Sequence, residues 1–567
     1  MAIVLKKRKR KLGVCFVGKA GVEVSTLRPK YTLKTPPCTF TCPSSIDIRG
    51  YLTTIAQSEN YGRSVAESLK EAWYILTDKN PLPAVCGRVC PHPCETECNR
   101  KEKDEAVSIN SMERFIGDYG IKHNLAHKRL YPDTYPDKVA VIGSGPSGLS
   151  CAYHLARRGY AVTLFEAFEK SGGMLRYGIP RYRLPEEVLD AEVQKILDLG
   201  VEIKYHTRVG QDISWEDLRN KYNAVYVAIG AHIGWNLGVP GEDASNVFTG
   251  ADFLHRINSR KDDTPLEGLR QGKKVIVIGG GNSAIDAARV SRRFGAEVTI
   301  LYRRTRNEMP AIEHEIVGAE EEGIVFEFLA APIEVLREGD KAIGLKCQRM
   351  ELGEPDESGR RRPVPIEGSE FEVPASTIIA AISQQPDFTG LEELRNEKGW
   401  ITVDDNGLTE SEGVYAGGDV TNQLGLVTEA IGLGRRAAIS MDNYLREREP
   451  AKVAELPVVR PDKMNLNYYD PLPRTPTRIL AASERIGNFS EIAFTWDESE
   501  ATAESKRCLS CGLCYDCDNC YSYCSDSAVK KLSKDLPRGE HYEFDLVLCQ
   551  GCKKCAEECP CGYVDML

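Results

Sequence analysis

The sequence predicts an α/β core of two doubly wound domains, with a helical domain before it and a small α+β domain after it. Two observations carry this. The stretches "KVAVIGSGPSGLSCAYHLARRGYAVTLFE" and "KKVIVIGGGNSAIDAARVSRRFGAEVTILYRR" each read as apolar strand, glycine turn, helix, strand, the unit from which parallel sheets are wound. Of the 20 cysteines, six lie between Cys38 and Cys98 and eleven between Cys508 and Cys561, outside both units. At 567 residues the chain exceeds a single hydrophobic core, so several domains are expected.

From the N-terminus, the first feature is the basic run "LKKRKRK" (5–11), read as a solvated tail. A net charge of −10 argues against general nucleic-acid affinity. No apolar stretch approaches the ~18 residues of a membrane span, and no apolar core and cleavage site follow the basic run, so no leader is expected. Cysteine spacings of two and three residues suit metal clusters better than disulfides. A reducing, cytoplasmic setting with iron–sulfur chemistry follows.

In the first unit Gly143, Gly145 and Gly148, with Pro146 and Ser147 between them, follow the strand Val139 to Ile142 and open a helix. Gly143 makes the tight turn, Gly145 admits a pyrophosphate and Gly148 lets helix pack on strand. Glu166, 23 residues after Gly143, ends the next strand where it can accept a ribose hydroxyl. The second unit has Gly279, Gly281 and Ala284, with Asn282 and Ser283 opening its helix. Its second strand ends in Arg303 and Arg304 rather than an acid, which suits the 2′-phosphate of NADPH; as mere surface arginines they would leave NADH equally acceptable. The later "VYAGGD" brings Gly417, Gly418 and Asp419 to a strand end. Two dinucleotide folds of these types imply FAD and a nicotinamide cofactor, NADP(H) or NAD(H). A disulfide reductase would need a cysteine pair near the flavin, yet only Cys151 and Cys347 fall between Gly143 and Pro450, far apart in sequence.

At the C-terminus "CQGCKKCAEECP" (Cys549, Cys552, Cys555, Cys559) is the full C-x2-C-x2-C-x3-C-P pattern. Upstream, only the register Cys514, Cys517, Cys520, Cys524 ends in the same gap, with Ser525 in place of proline. In two-cluster ferredoxins the fourth cysteine of each run serves the other cluster. One 4Fe–4S cluster is thus expected on Cys514, Cys517, Cys520 and Cys559, the other on Cys549, Cys552, Cys555 and Cys524; structural zinc is the competing reading. Cys508 and Cys511 are left over, while Cys38, Cys42, Cys86, Cys90, Cys94 and Cys98 are two short of two clusters.

Residues from about 30 to 450 resemble the small subunit of bacterial glutamate synthase and its relatives. The residues that carry this are "NPLPAVCGRVCPHPCETEC", "VIGSGPSGLSCAYHLARRGY", "GGMLRYGIPRYRLP", "GGGNSAIDAAR", "YRRTRNEMPA" and "VYAGGDVTN". The resemblance implies a helical double-cluster domain (1–130), a FAD domain in two parts (131–250 and 386–445) and an NAD(P)H domain (251–385). A linker or wrapping segment (446–506) and the ferredoxin-like domain (507–567) complete the chain. The fold class is therefore α/β: two Rossmann-like domains for FAD and NAD(P)H, an N-terminal α-helical iron–sulfur domain and a C-terminal α+β ferredoxin-like domain. The resemblance also implies cofactor contacts at Gly173, Leu175, Arg183, Gly230 and Thr428. The family opens its helical domain with "EA–RCL-C", which is missing here, whereas "ESKRCLSC" stands at 504–511. Cys508 and Cys511 are therefore expected to complete a cluster with Cys38 and Cys98, leaving Cys42, Cys86, Cys90 and Cys94 to hold the other. Four clusters result, with Cys15, Cys151, Cys347 and Cys561 spare. Return from a second protomer would satisfy the same count and make a homodimer obligatory; Cys508 and Cys511 as free thiols is the plain alternative.

The expected activity is NAD(P)H:acceptor oxidoreduction with a protein electron partner: a reductase large subunit, a sulfite reductase or a ferredoxin. The C-terminal extension departs from the glutamate synthase small subunit and resembles the layout of DsrL-type flavoproteins, which serve dissimilatory sulfite reductase. A glutamate synthase subunit and a non-catalytic electron conduit are the alternatives.

Overall fold

The computed structural model describes residues 25–260, 264, 269–356, 359–421, 425–451, 455–532 and 539–567. The basic run 5–11 and Cys15 lie outside them. The chain divides into two compact units. One, the cysteine unit, comprises the chain to His127, Glu449–Thr477 and Thr495–Leu567; the other, the dinucleotide unit, comprises Lys128–Arg448 and Arg478–Phe494.

The dinucleotide unit holds two five-stranded, all-parallel sheets. In the first, strand Lys138–Ile142 lies between Ala161–Phe165 and Ala224–Val227, with Glu202–Lys204 and Val414–Ala416 at the edges. Lys138–Ile142 and Ala161–Phe165 are buried along their length except at the first residue, as expected of strands in a sheet covered on both faces. Helices Pro146–Arg157 and Val427–Leu445 pack together closely at Gly434, where a Cβ would stand 2.3 Å from the Ser147 carbonyl oxygen. The second sheet runs Val325–Phe328, Glu297–Tyr302, Lys274–Ile278, Thr377–Ala380, Val247–Thr249. Before Thr377 the chain leaves it to form an antiparallel sheet of Ala330–Glu338, Lys341–Pro355 and Arg361–Pro374. The α/β class with two parallel-sheet domains agrees with the sequence reading.

The cysteine unit is helical around Trp73, Leu69, Leu76, Met112 and Ile116, all buried. Helices Ile48–Ala56, Val65–Thr77, Pro83–Val89 and Ile109–Lys122 build it, and helix Glu498–Ser505 packs against the first and last of these. A capping box at Ser64 and Glu67 fixes the start of Val65–Thr77. Strand Pro29–Tyr31 pairs antiparallel with Val564–Met566, and Lys34 joins Asp565 at 2.8 Å and the Gly562 carbonyl at 2.6 Å. The two cysteine regions, read from sequence as separate domains, thus share one unit. The segment 446–506, read as a linker, is divided between the units. Among the described residues no helix is long and apolar enough to cross a membrane.

Candidate cofactor and iron–sulfur sites

Both glycine turns have the stereochemistry of a phosphate cradle. Gly143 is at φ +98°, where a Cβ would meet the Ala228 carbonyl oxygen at 2.3 Å, and at Gly148 a Cβ would meet the Gly143 carbonyl oxygen at 1.9 Å. Gly145 instead faces open space, its nearest neighbour being the Gly173 Cα at 4.0 Å. The second turn repeats this: Gly279, at φ +142°, is pinned against the Ala381 carbonyl, while nothing lies within 4 Å of a Cβ on Gly281. Neither following helix, Pro146–Arg157 or Asn282–Arg293, has a side-chain cap, so its first N–H groups remain for an anion.

Glu166 is buried and grips the loop: Ser144 donates its hydroxyl and, at 3.0 Å, its N–H to one carboxylate oxygen, and the Phe168 N–H donates to the other at 2.9 Å. Asp419 accepts from the Gly425 N–H at 3.0 Å, and burial pushes its carboxyl up to about 6. At Gly418, φ +76°, a Cβ would stand 3.0 Å from the Cβ of Ser147, whose hydroxyl bonds Tyr226 at 2.6 Å. Gly173 (φ +53°) and Gly230 (φ +66°) are left-handed, Leu175 is buried, and Thr428 is buried in the first turn of Val427–Leu445. Asn282 accepts from the Ile312 N–H at 2.9 Å, and Ser283 follows it on the helix.

The arginines divide their tasks in a way the sequence does not reveal. Arg303 is exposed. Arg304 is buried, paired with Asp356 at 2.6 Å and donating to the Arg361 carbonyl at 2.7 Å, which ties it to the antiparallel sheet. Arg183, expected at a cofactor, is buried between Asp286 at 2.7 Å and Glu315 at 2.9 Å. Glu315 continues to Arg289, and Glu322 joins Arg289 at 2.6 Å to Arg293 at 2.7 Å. Cys151 and Cys347 are buried in a helix and a strand of different sheets' surroundings.

The cysteines gather as sets. Cys38, Cys98, Cys508 and Cys511 line one void of about 350 Å³, part of it open to solvent. Burial first, then the sulfurs of Cys98, Cys511 and Cys508, push the Cys38 thiol well above its ordinary value, and burial raises Cys508 to about 11. Four thiols whose ionised forms would repel one another share this void, which fits a cationic group that would stabilise them as thiolates. The segment carrying Cys508 and Cys511 is anchored by Glu504, which accepts from the Ser108 and Thr475 N–H groups at 2.8 Å, and by Arg507, paired with Asp104 at 3.0 Å and donating to the Glu105 carbonyl at 2.7 Å. The Arg49 guanidinium holds the Cys511 carbonyl at 2.7 Å, and the Asn99 amide points to its sulfur at 3.7 Å.

A second void, about 340 Å³ with part of it open to solvent, is lined by Cys524, Cys549, Cys552 and Cys555. Cys514, Cys517, Cys520 and Cys559 form a third set: burial and the other sulfurs of the set raise Cys520 and Cys517, and Cys514 is pushed to about 12. In the fourth, burial and the sulfurs of Cys90, Cys38 and Cys42 raise Cys94, and Cys86 stands one helical turn before Cys90. Backbone N–H groups aim at Cys90, Cys524, Cys549 and Cys559 sulfurs at 3.2–3.4 Å. Asp518 and Lys553, at corresponding places in the two C-terminal runs, share φ near +65°, so both loops coil the same way. Among the described residues no three His, Cys, Asp or Glu side chains close on a point as ligands of a single ion would; two of the sets line voids instead. Sequence spacing leaves Cys561 unused, yet its sulfur lies 3.7 Å from that of Cys559 and draws the Cys559 thiol below its ordinary value.

Residues 137–434 match the family model for pyridine nucleotide-disulphide oxidoreductases, and residues 31–125 match the 4Fe–4S cluster domain II of dihydropyrimidine dehydrogenase. The chain is 39% identical over 513 residues to the NADP(+)-dependent formate dehydrogenase subunit beta of Moorella thermoacetica, covering 84% of this chain and 70% of the relative. It is 39% identical over 520 residues to the NADPH-Fe(3+) oxidoreductase subunit beta of Geobacter sulfurreducens, covering 84% and 75%. It is 35% identical over 434 residues to the glutamate synthase (NADPH) small chain of Escherichia coli, covering 72% and 89%.

Proposed function

Since the chain belongs to the pyridine nucleotide-disulphide oxidoreductase family, as a glutamate synthase small-chain-like NADPH-dependent subunit with FAD and 4Fe–4S cofactors, we propose that it moves electrons between NADPH and a protein partner through four clusters. When bound, the cofactors supply the redox chemistry: hydride exchange between nicotinamide and flavin, and single electrons on the clusters. The chain's own residues bind and orient them. Gly279 and Gly281 with the helix at Asn282 hold the NADPH pyrophosphate, and Arg303 meets the 2′-phosphate while Arg304 braces its strand end through Asp356. Gly143, Gly145, Gly148 and Glu166 hold the FAD pyrophosphate and ribose, and Asp419 accepts from the flavin side chain.

The observation that carries the reading is the gathering of Cys38 and Cys98 with Cys508 and Cys511 around one void, which brings the ligand sets to four. Anaerobically purified protein should hold one FAD and about sixteen iron atoms per chain, and should reduce a dye faster with NADPH than with NADH. Cys508→Ser and Cys511→Ser should each lose about four irons; iron unchanged in both overturns the fourth cluster.

The partner is a catalytic subunit of a dehydrogenase or terminal reductase, sulfite reductase among those the layout fits. The formate dehydrogenase and Fe(3+) oxidoreductase subunits align over 84% of the chain, against 72% for the glutamate synthase small chain, which favours such a complex over glutamate formation. Co-purification from native extract identifies it; a glutamine-hydrolysing partner would restore the glutamate synthase reading.

A further inference from the structure

Cys561 belongs to neither C-terminal run, yet it occupies the contact between two cysteine sets of the cysteine unit. It is 2% exposed. Its sulfur is 3.7 Å from the Cys559 sulfur. Its carbonyl oxygen accepts from the Gly512 N–H at 2.6 Å, and Gly512 follows Cys511 directly. One residue therefore touches, through its side chain, a sulfur of the Cys514, Cys517, Cys520, Cys559 set and, through its backbone, the residue next to Cys511 in the Cys38, Cys98, Cys508, Cys511 set. Tyr469 closes the same junction. It packs in the apolar clusters of both Cys511 and Cys561, and its hydroxyl donates to the Leu509 carbonyl at 2.8 Å and accepts from Tyr515 at 3.0 Å.

We propose that Cys561 is a positioning residue whose thiol donates to the Cys559 ligand sulfur, raising the potential of the cluster that Cys559 helps to hold so that it draws electrons from the neighbouring set. The direction of the hydrogen bond follows from the chemistry. A ligating Cys559 is a thiolate and has no proton to give, so Cys561 must be the donor. A hydrogen bond to a ligand sulfur stabilises the more negative, reduced cluster and raises its potential. The Tyr563 N–H already points to the same sulfur at 3.3 Å, and Cys561 adds a second donor. In the transfer one electron leaves the cluster on Cys38, Cys98, Cys508 and Cys511, which is oxidised. It arrives at the cluster on Cys514, Cys517, Cys520 and Cys559, which is reduced. No bond forms or breaks, and the thiol proton stays on Cys561.

The inference rests on the four-cluster reading, and its test separates the two. Redox titration of the full chain, followed by EPR, is made on wild type, Cys561→Ala and Cys561→Ser, with Cys517→Ala as control. Cys561→Ala should keep its flavin and all its iron, while one cluster potential moves lower and NADPH-driven reduction of that cluster slows several-fold. NADPH-dependent dye reduction at the flavin should be unchanged. Cys561→Ser keeps a donor and should return the potential toward wild type. Unchanged potentials in Cys561→Ala overturn the proposal. Loss of about four irons from Cys561→Ala also overturns it, because Cys561 would then be a ligand. Full iron in Cys517→Ala removes the cluster reading and this inference with it.

Discussion

At the scale of single residues, adjacent side chains of one type do different work. Arg303 and Arg304 look equivalent in sequence, but only Arg303 is left exposed, since Arg304 is committed to Asp356 and the Arg361 carbonyl. Arg303→Ala should raise the KM for NADPH roughly tenfold or more, the cost of one charge-assisted contact to phosphate, with the KM for NADH within about twofold. Arg304→Ala should disturb both nucleotides, because it frees the strand end. Steady-state kinetics with the two nucleotides reads the difference. Asp419 offers a pH signature. Its carboxyl rises from 3.8 to about 6 on folding through burial. Below about pH 3 it is neutral folded and unfolded and costs nothing. Between about 3 and 6 the unfolded chain ionises first, so the flavin-free fold loses up to about 3 kcal/mol as pH rises, all of it by pH 7. Asp419→Asn should therefore narrow the difference in urea midpoint between pH 5 and pH 7 in flavin-free protein, and should weaken flavin retention. An equal pH difference in both proteins would exclude Asp419 as the titrating group.

At the scale of elements, the two strand–turn–helix units were legible because every feature that defines them lies within about thirty residues: apolar strand, glycine spacing, helix start. The glycines also separate by role. At Gly148 a Cβ would meet backbone at 1.9 Å, whereas at Gly281 it would meet nothing. Gly281→Ala should fold as wild type and keep FAD while losing most NADPH binding; Gly148→Ala should lose flavin and fold stability together. Flavin absorbance, thermal melting and nucleotide titration distinguish the two. What the sequence hid is what depends on distant partners. The ion pairs of Arg183 are of this kind: Asp286 and Glu315, which hold it, are more than a hundred residues away. The antiparallel sheet 330–374 alternates weakly because much of Arg361–Pro374 faces solvent, so no apolar period announces it. Cys561 falls outside both cysteine runs because motif spacing follows the order of residues, and its contact with the Cys559 sulfur is made only by the fold.

At the scale of the molecule, the order of residues along the chain differs from their grouping in space. The cysteine runs told which sulfurs belong together locally, but strand Pro29–Tyr31 pairing with Val564–Met566, and Glu504 and Arg507 docking on residues 104–108, show that the C-terminal region also supplies part of the N-terminal helical core. Helix Glu498–Ser505 lies in that core with Trp496. In the proposed assignment the segment "ESKRCLSC" completes a cluster of the helical region, and the N-terminal iron content should then depend on residues some four hundred positions later. Two truncations expose this. Stopping the chain after Leu513 removes the two C-terminal sets but keeps Cys508 and Cys511, and should leave about eight irons per chain; stopping after Lys506 removes only seven further residues, yet should leave about four. Both should retain FAD and dye reduction by NADPH, because every glycine and acid of the dinucleotide sites precedes Pro450. Equal iron in the two truncations would mean that Cys508 and Cys511 bind no cluster, and the helical region would then have to complete its second set from its own side chains.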